Sequence, residues 1–411
     1  MKNNTLEIQF TLNGVQTRAT VAPRQRLLDV LRDLSVYSVK RGCDNRGECG
    51  LCTVLLDGQP VKSCLKLAKN IDGHEVLTVE ALNQADKPHP IQQAYMEAGA
   101  IQCGYCTPAM ILRTKALLDS NPDPTVDEVR DALKEVECRC TGFVKILDAV
   151  RRASILLRGE DAPPVEIIGK ILPANTADIK LPEPYYRQDG NRWPLPVLVF
   201  TPPEMSKTDF IGKPQVKVDA RKLAEGQPVF TSDMKLKDML HAVLLTSPHA
   251  HALIKNIDAS KARALPGVHA VLTHKDLPRV KYSTGGQSYP QLPPYDQVSL
   301  DNKVRHVGDR VAIVAAETLE IARQAAELIE VDYEVLPAVF GLRETMQDGA
   351  PVIHDEPDTE GIYDAEHNII YHIEEEQGDV TLAFSTADIV VEGEYKTPKQ
   401  HHAQTEPHAC L

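Results

Sequence analysis

The chain has 411 residues, 42% hydrophobic and 25% charged, a composition of globular protein with room for roughly two to four domains. A formal net charge of -13 excludes the basic footprint of a nucleic-acid or anionic-membrane binder, leaving small molecules and redox proteins as partners. The N-terminal segment alternates polar and apolar residues and carries arginines, no run of about eighteen apolar residues occurs anywhere, and the sequence reads as cytoplasmic.

Two short alternating runs, residues 6–10 and 15–21, flank Asn13-Gly14, a two-residue hairpin signal. Leu27, Leu31 and Leu34 recur at helical spacing from Arg24 onward. A strand-like run at 53–56, the turn Asp57-Gly58 and an apolar run at 76–79 complete a small β-grasp-like module, residues 1–80.

From 84 to 158 the period changes. Residues 91–98, 108–118, 126–136 and 144–157 repeat apolar positions at three and four, which predicts a four-helix bundle. Thr107-Pro108 reads as an N-cap followed by proline at the first helical position, and Thr125 with Glu128 as a capping box. Residues 159–214 are proline-rich, punctuated by Tyr185, Tyr186, Trp193 and Phe200, and read as an extended connector laid on a neighbouring surface.

Alternation returns from 215 to 340: strands at 240–245, 268–272, 311–315 and 331–334, helices at 259–265 and 319–329. This is an α/β domain within an α+β multidomain chain. Residues 341–411 begin a further domain, and the chain stops at Cys410-Leu411 inside sequence that still looks ordered. No GxGxxG or phosphate loop occurs, which argues against nicotinamide or flavin binding.

Eight of the nine cysteines form two quartets. The first, Cys43, Cys49, Cys52 and Cys64, has the spacing Cys-x5-Cys-x2-Cys with Cys64 after eleven further residues, one residue longer in the first gap than the plant-type ferredoxin loop. Gly42, Gly47 and Gly50 let the loop turn its N–H groups toward sulfur. The second, Cys103, Cys106, Cys138 and Cys140, falls at two helix junctions of the predicted bundle, so its sulfurs can meet at one end. In a reducing cytosol such sets are metal ligands rather than disulfides. Two [2Fe-2S] clusters are the reading, structural zinc the alternative.

Residues 42–57 and 61–65, Gln102-Cys103-Gly104-Tyr105-Cys106-Thr107-Pro108, Asn121-Pro122-Asp123-Pro124-Thr125 and Cys138-Arg139-Cys140-Thr141-Gly142 together resemble the iron–sulfur part of the molybdenum hydroxylases, the xanthine dehydrogenase and aldehyde oxidoreductase family. Past the connector, Val218-Asp219-Ala220, Ser247-Pro248-His249-Ala250-His251-Ala252, Leu265-Pro266-Gly267-Val268, Val307-Gly308-Asp309 and Tyr333-Glu334-Val335-Leu336-Pro337 resemble that family's hammerhead domain.

The resemblance implies a β-grasp ferredoxin-like [2Fe-2S] domain, a helical [2Fe-2S] domain, a hammerhead domain and the start of a molybdopterin-binding domain. Its chemistry is oxidation of a purine such as xanthine, or of an aldehyde, with oxygen from water. Electrons would pass from a molybdenum–pterin centre through the two clusters, with Gln102 and Cys140 touching the pterin. The implied partners are a molybdenum-binding remainder or separate chain, a flavoprotein or other electron acceptor, and a second copy as homodimer. The connector is too short for a flavin domain.

Two departures stand out. Relatives carry Gly-Asn before the Cys-Arg-Cys motif where this chain has Glu135-Val136-Glu137, which would put charge beside the second cluster, the one implied to lie nearer the pterin. The loops enclosing the molybdenum cofactor and the base glutamate lie, in relatives, C-terminal to the equivalent of residues 404–408, so no complete catalytic centre is expected in these residues; Glu406 alone corresponds to a position near substrate. The competing expectation is a two-cluster carrier, or a truncated product, with no catalysis of its own. His401, His402 and His408 read as part of a strand rather than a metal site, and His249 and His251 as strand residues. Residues 282–296 resemble the matching segment of fused selenium-dependent xanthine dehydrogenase-like proteins, which tilts the substrate toward a purine.

Overall fold

The computed structural model describes residues 5–162, 215–284 and 291–411. It divides into two compact units, Met1–Met234 with Thr397–Leu411, and Lys235–Lys396. The connector from residue 163 to 214 and the loop 285–290 lie outside the described residues.

The first unit opens with the hairpin β1 (Leu6–Leu12) and β2 (Val15–Val21), in register from Leu6↔Val21 to Leu12↔Val15. Asn13 and Gly14 both have positive φ, 52° and 80°, as a tight hairpin turn of this hand requires. Helix α1 (Leu27–Asp33) lays Leu27, Leu28, Val30 and Leu31 against the sheet; Leu34, expected on the same face, is instead the helix C-cap and exposed. Then come β3 (Thr53–Leu56), β4 (Gln59–Lys62) and β5 (Glu75–Leu77), giving the order β2-β1-β5-β3-β4 with β1 and β5 parallel. Ile8, Phe10, Val54 and Val76 close the core under α1, which makes this a β-grasp.

Helices α2 (Pro90–Glu97), α3 (Thr107–Ser120), α4 (Val126–Leu133) and α5 (Val144–Leu157) follow. The Thr125 hydroxyl accepts from Glu128 N–H and the Glu128 carboxylate accepts from Thr125 N–H, the capping box read from sequence. The start of α3 differs. Cys106 is its N-cap and Thr107 already its first helical residue, because the cysteine loop itself leads into the helix. Helix α4 ends at Leu133, not at 136, and residues 135–137 leave to contact the first cysteine loop. Residues 220–234, expected with the following domain, pack here: α6 (Ala220–Ala224) buries Ala220, Leu223 and Ala224 in the same core as Ile91, Tyr95 and Met110.

The second unit holds two antiparallel three-stranded sheets. One, ordered β6-β10-β8, joins β6 (His241–Thr246), β8 (Val268–Thr273) and β10 (Arg310–Ala316). The other, β11-β7-β9, joins β7 (Ala252–Asp258), β9 (Lys303–Val304) and β11 (Glu330–Val335). Helices α7 (Ser260–Arg263) and α8 (Leu319–Glu327) cover them, and alanines 322, 325 and 326 let α8 approach closely. His249 and His251 fall in the bend before β7, not in a strand: His249 packs edge-on to Tyr333 with ring centroids 4.9 Å apart, and His251 Nδ1 bonds Pro337 O at 2.7 Å. Among the described residues no helix is long and apolar enough to cross a membrane.

Candidate functional site: two thiol quartets and the seam between their loops

In the first quartet Cys49, Cys52 and Cys64 are buried and Cys43 is half-buried. Strand β3 begins directly after Cys52, and the 3-10 turn Ser63–Leu65 after β4 brings Cys64 to it; the Ser63 hydroxyl donates to Cys52 O at 2.8 Å. The sulfurs stand in two pairs, Cys43 with Cys49 and Cys52 with Cys64. Burial disfavours the Cys43 thiolate, but N–H groups of Cys49, Glu48 and Arg46 outweigh it and lower its pKa. Burial pushes Cys49 up to about 11. The hydrogen bond from Cys64 holds Cys52 down at about 6, and the same bond pushes Cys64 up.

The second quartet repeats the pattern. Cys103 is exposed, Cys106 buried, and Cys138 and Cys140 half-buried. Cys106 pairs with Cys138, and Cys103 with Cys140. The Cys106 bond, with help from the Thr141 hydroxyl at 3.1 Å, brings Cys138 down to about 5.

The donor set fits a two-iron centre: four thiols in two pairs suit a cluster in which two irons share four cysteines. Peptide N–H groups reach Cys43, Cys49, Cys52, Cys64, Cys103 and Cys138, as anionic sulfur requires. All nine cysteines are free of disulfides.

The two loops touch. Gly50 has φ of +68°, and a Cβ there would lie 1.8 Å from Glu135 O; Glu137 N–H donates to Cys49 O at 2.9 Å. The acidic segment just before Cys138 thus reaches the first loop as well. Glu135 pairs with Arg113 at 2.7 Å and Lys62 at 3.6 Å, which lowers its pKa, while Glu137 borders a recess of about 140 Å³ beside Cys43 and Cys49 of the first quartet. Residues 403–405 line the same recess, and the Arg139 guanidinium donates to the carbonyls of His402 at 2.5 Å and His401 at 3.3 Å. These histidines lie outside any strand, and Glu406 is half-buried near Tyr105. Gln102 is exposed next to Cys103 and thus close in chain to the Cys103–Cys140 pair.

Sequence reasoning missed the residues that seal the seam. Asp233 accepts from Lys40 Nζ at 2.5 Å and from Arg32 at 2.8 Å, with Lys40 and Asp233 fully buried. Nothing in local sequence pairs residues 40 and 233.

Two thiol quartets on a β-grasp and a helical module, followed in the chain by a hammerhead domain, define an iron–sulfur protein with two [2Fe-2S] domains. Family models agree: residues 10–78 match a 2Fe-2S iron-sulfur cluster binding domain and 78–151 a [2Fe-2S] binding domain. Residues 225–337 match the aldehyde oxidase and xanthine dehydrogenase a/b hammerhead domain, and 362–411 part of a molybdopterin cofactor-binding domain. The chain belongs to the molybdenum hydroxylases, the xanthine dehydrogenase and aldehyde oxidoreductase family. It is 33% identical to a probable hypoxanthine oxidase XdhD of Escherichia coli O157:H7 over 98% of its own length and 42% of that protein's. It is 50% identical to the nicotinate dehydrogenase small FeS subunit of Eubacterium barkeri, over 36% of this chain and 96% of that one. The aldehyde oxidoreductase structure from Desulfovibrio desulfuricans ATCC 27774 superposes with a TM-score of 0.71 at 32% identity, covering 93% of this chain and 38% of that one. The chain thus spans about two fifths of the full-length relatives it matches.

Proposed function

We propose that these residues are the electron-transfer portion of a molybdenum-dependent hydroxylase that oxidises a purine such as xanthine or hypoxanthine, or an aldehyde. Cys43, Cys49, Cys52 and Cys64 hold one [2Fe-2S] cluster, and Cys103, Cys106, Cys138 and Cys140 the other. The observation that carries this reading is the gathering of eight free thiols on two adjoining loops, where Ser63 bonds Cys52 O beside Cys64 and the Thr141 hydroxyl contacts Cys138. When bound, each cluster supplies storage for one electron, so two together match a two-electron oxidation. The chain's own residues do the rest. Peptide N–H groups stabilise the thiolates, and the hydrogen bond from Glu137 N–H to Cys49 O links the first loop to the residue before Cys138. Gln102 and Cys140 face the pterin, Glu406 lies toward the substrate pocket, and a flavoprotein or other acceptor takes electrons from the first cluster. The domain division at 1–80, 84–158, 159–214, 215–340 and 341–411 belongs to this reading.

The test is anaerobic purification with iron analysis and electron paramagnetic resonance. About four irons per chain and two distinct signals are expected. Cys49→Ser should remove one signal and Cys106→Ser the other. Stoichiometric zinc, or one signal only, refutes the assignment.

A further inference from the structure

Three stretches remote in sequence meet at the seam. Lys40 and Arg41 precede Cys43, and Lys40 N–H donates to Leu51 O, between Cys49 and Cys52. Tyr105 sits between Cys103 and Cys106, and its hydroxyl donates to Arg41 O at 3.3 Å. Residues 220–234 close over both. Leu223 lies where a Cβ on Gly104 would stand, 2.7 Å away, and the fully buried Gln92 side chain donates to Ala224 O at 3.1 Å. Asn83 donates to Glu225 O at 3.0 Å, and Phe230 packs edge-on against Tyr105 with centroids 5.0 Å apart.

The Lys40 ammonium stands 4.5 Å from the centre of the Phe230 ring and 5.6 Å from that of Tyr105, bonded to Asp233. Asp233 also binds Arg32, whose second nitrogen donates to Ser232 O at 2.7 Å. Two cations thus share one carboxylate, with Lys40 and Asp233 buried and Arg32 reaching them from a partly exposed position. The triad carries one net positive charge, and both cations belong to the β-grasp module.

We propose that Lys40 and Arg32, with Asp233 as their counter-ion, set the reduction potential of the first cluster, so that docking of residues 220–234 tunes that centre as well as sealing the seam. Reduction adds negative charge to a thiolate-bound cluster, and a fixed positive charge in a poorly screened interior favours the reduced form. Lys40 is a positioning and potential-setting residue, not a ligand. This inference rests on the assignment of Cys43, Cys49, Cys52 and Cys64 as cluster ligands.

The experiment is a redox titration of the whole chain, following each cluster's paramagnetic signal separately. Lys40→Met should move the first cluster's midpoint to lower potential and shift the second less. Adding Asp233→Asn to that variant restores the single net positive charge and should return the first midpoint toward the parent value. Arg32→Gln, at a partly exposed position that perturbs packing less, should lower it as Lys40→Met does. An unmoved first midpoint in Lys40→Met and Arg32→Gln overturns the inference. So does a double variant that moves further in the same direction, since that would report loosened packing rather than charge. Failure of the parent chain to show two cluster signals would instead sink the underlying ligand assignment.

Discussion

Gly50→Ala is the sharpest probe of the seam. Its backbone sits at φ +68°, where a residue with a Cβ costs roughly 1–2 kcal/mol. The new methyl would lie 1.8 Å from Glu135 O and 3.0 Å from Val136 Cα, so residues 135–137 must move, an overpacking penalty of about 1–3 kcal/mol. Displacing them breaks the Glu137 N–H bond to Cys49 O, worth about 1 kcal/mol. Together these amount to roughly 3–6 kcal/mol. Gly58→Ala is the matched control, because its φ is +78° but nothing lies within 4 Å of the added Cβ, leaving only the backbone cost of roughly 1–2 kcal/mol. Thermal unfolding followed by visible circular dichroism of the bound clusters measures both. At about 2–4 °C per kcal/mol for a body of this size, Gly50→Ala should lose on the order of 10 °C and Gly58→Ala a few degrees. Equal losses in the two variants would show that the contact between the cysteine loops contributes nothing to stability.

Three further outcomes follow from packing and charge. Leu223→Ala removes a side chain that fills the space over Gly104 and should cost about 2–5 kcal/mol of unfolding free energy, seen as a lower denaturant midpoint of the first unit. Tyr95→Phe removes one buried bond, the 2.8 Å contact with Thr114 Oγ1, but leaves that hydroxyl bonded to Met110 O; a loss of only about 1 kcal/mol is expected in the same assay. In the second unit, burial opposes ionisation of Glu356, but the His354 ring 3.7 Å away and the charges of Arg305 and Lys303 hold its carboxyl well below the usual range. A depressed carboxyl stabilises the fold above its unfolded value of about 4.3 and loses that contribution as pH falls toward the folded value. The second unit's melting temperature should therefore drop below about pH 5, and Glu356→Gln should flatten that drop while lowering stability at pH 7.

Local signals in the sequence locate most elements because each answers to neighbours in the chain. Asn13-Gly14, the Thr125–Glu128 box and the 144–157 repeat all appear where residue chemistry places them. The readings that shifted are those where a distant partner intervenes. The α4 pattern runs to Val136, yet the helix stops at Leu133 because residues 135–137 pack against Gly50. Residues 220–234 follow the connector and read as the start of the next domain, yet Leu223 and Asp233 find their partners at Gly104 and Lys40. Strand β7 was hidden by the histidines ahead of it, whose alternation belongs to a bend. Spacing grouped the cysteines into two quartets, but only the fold shows each as two pairs.

The close approach at Gly50 and the one at Gly104 have a common consequence for electron transfer. Each brings a segment against a cysteine loop by direct packing rather than through a long, rotatable side chain: the backbone of residues 135–136 at Gly50, and Leu223 at Gly104. Long surface side chains would leave the loops free to drift, because a flexible contact must offset its own rotamer entropy before it holds anything. Backbone seated on a glycine carries no such penalty, so the separation of the two quartets rests on the contact at Gly50 and two hydrogen bonds, Glu137 N–H to Cys49 O and Tyr105 hydroxyl to Arg41 O. Transfer between two bound centres falls steeply with distance, and a stiff seam keeps that distance constant while the charges at Lys40, Arg32 and Asp233 remain free to set the driving force. Spacing and potential are then controlled by different residues, so Gly50→Ala should alter the coupling between the clusters and Lys40→Met the first cluster's midpoint.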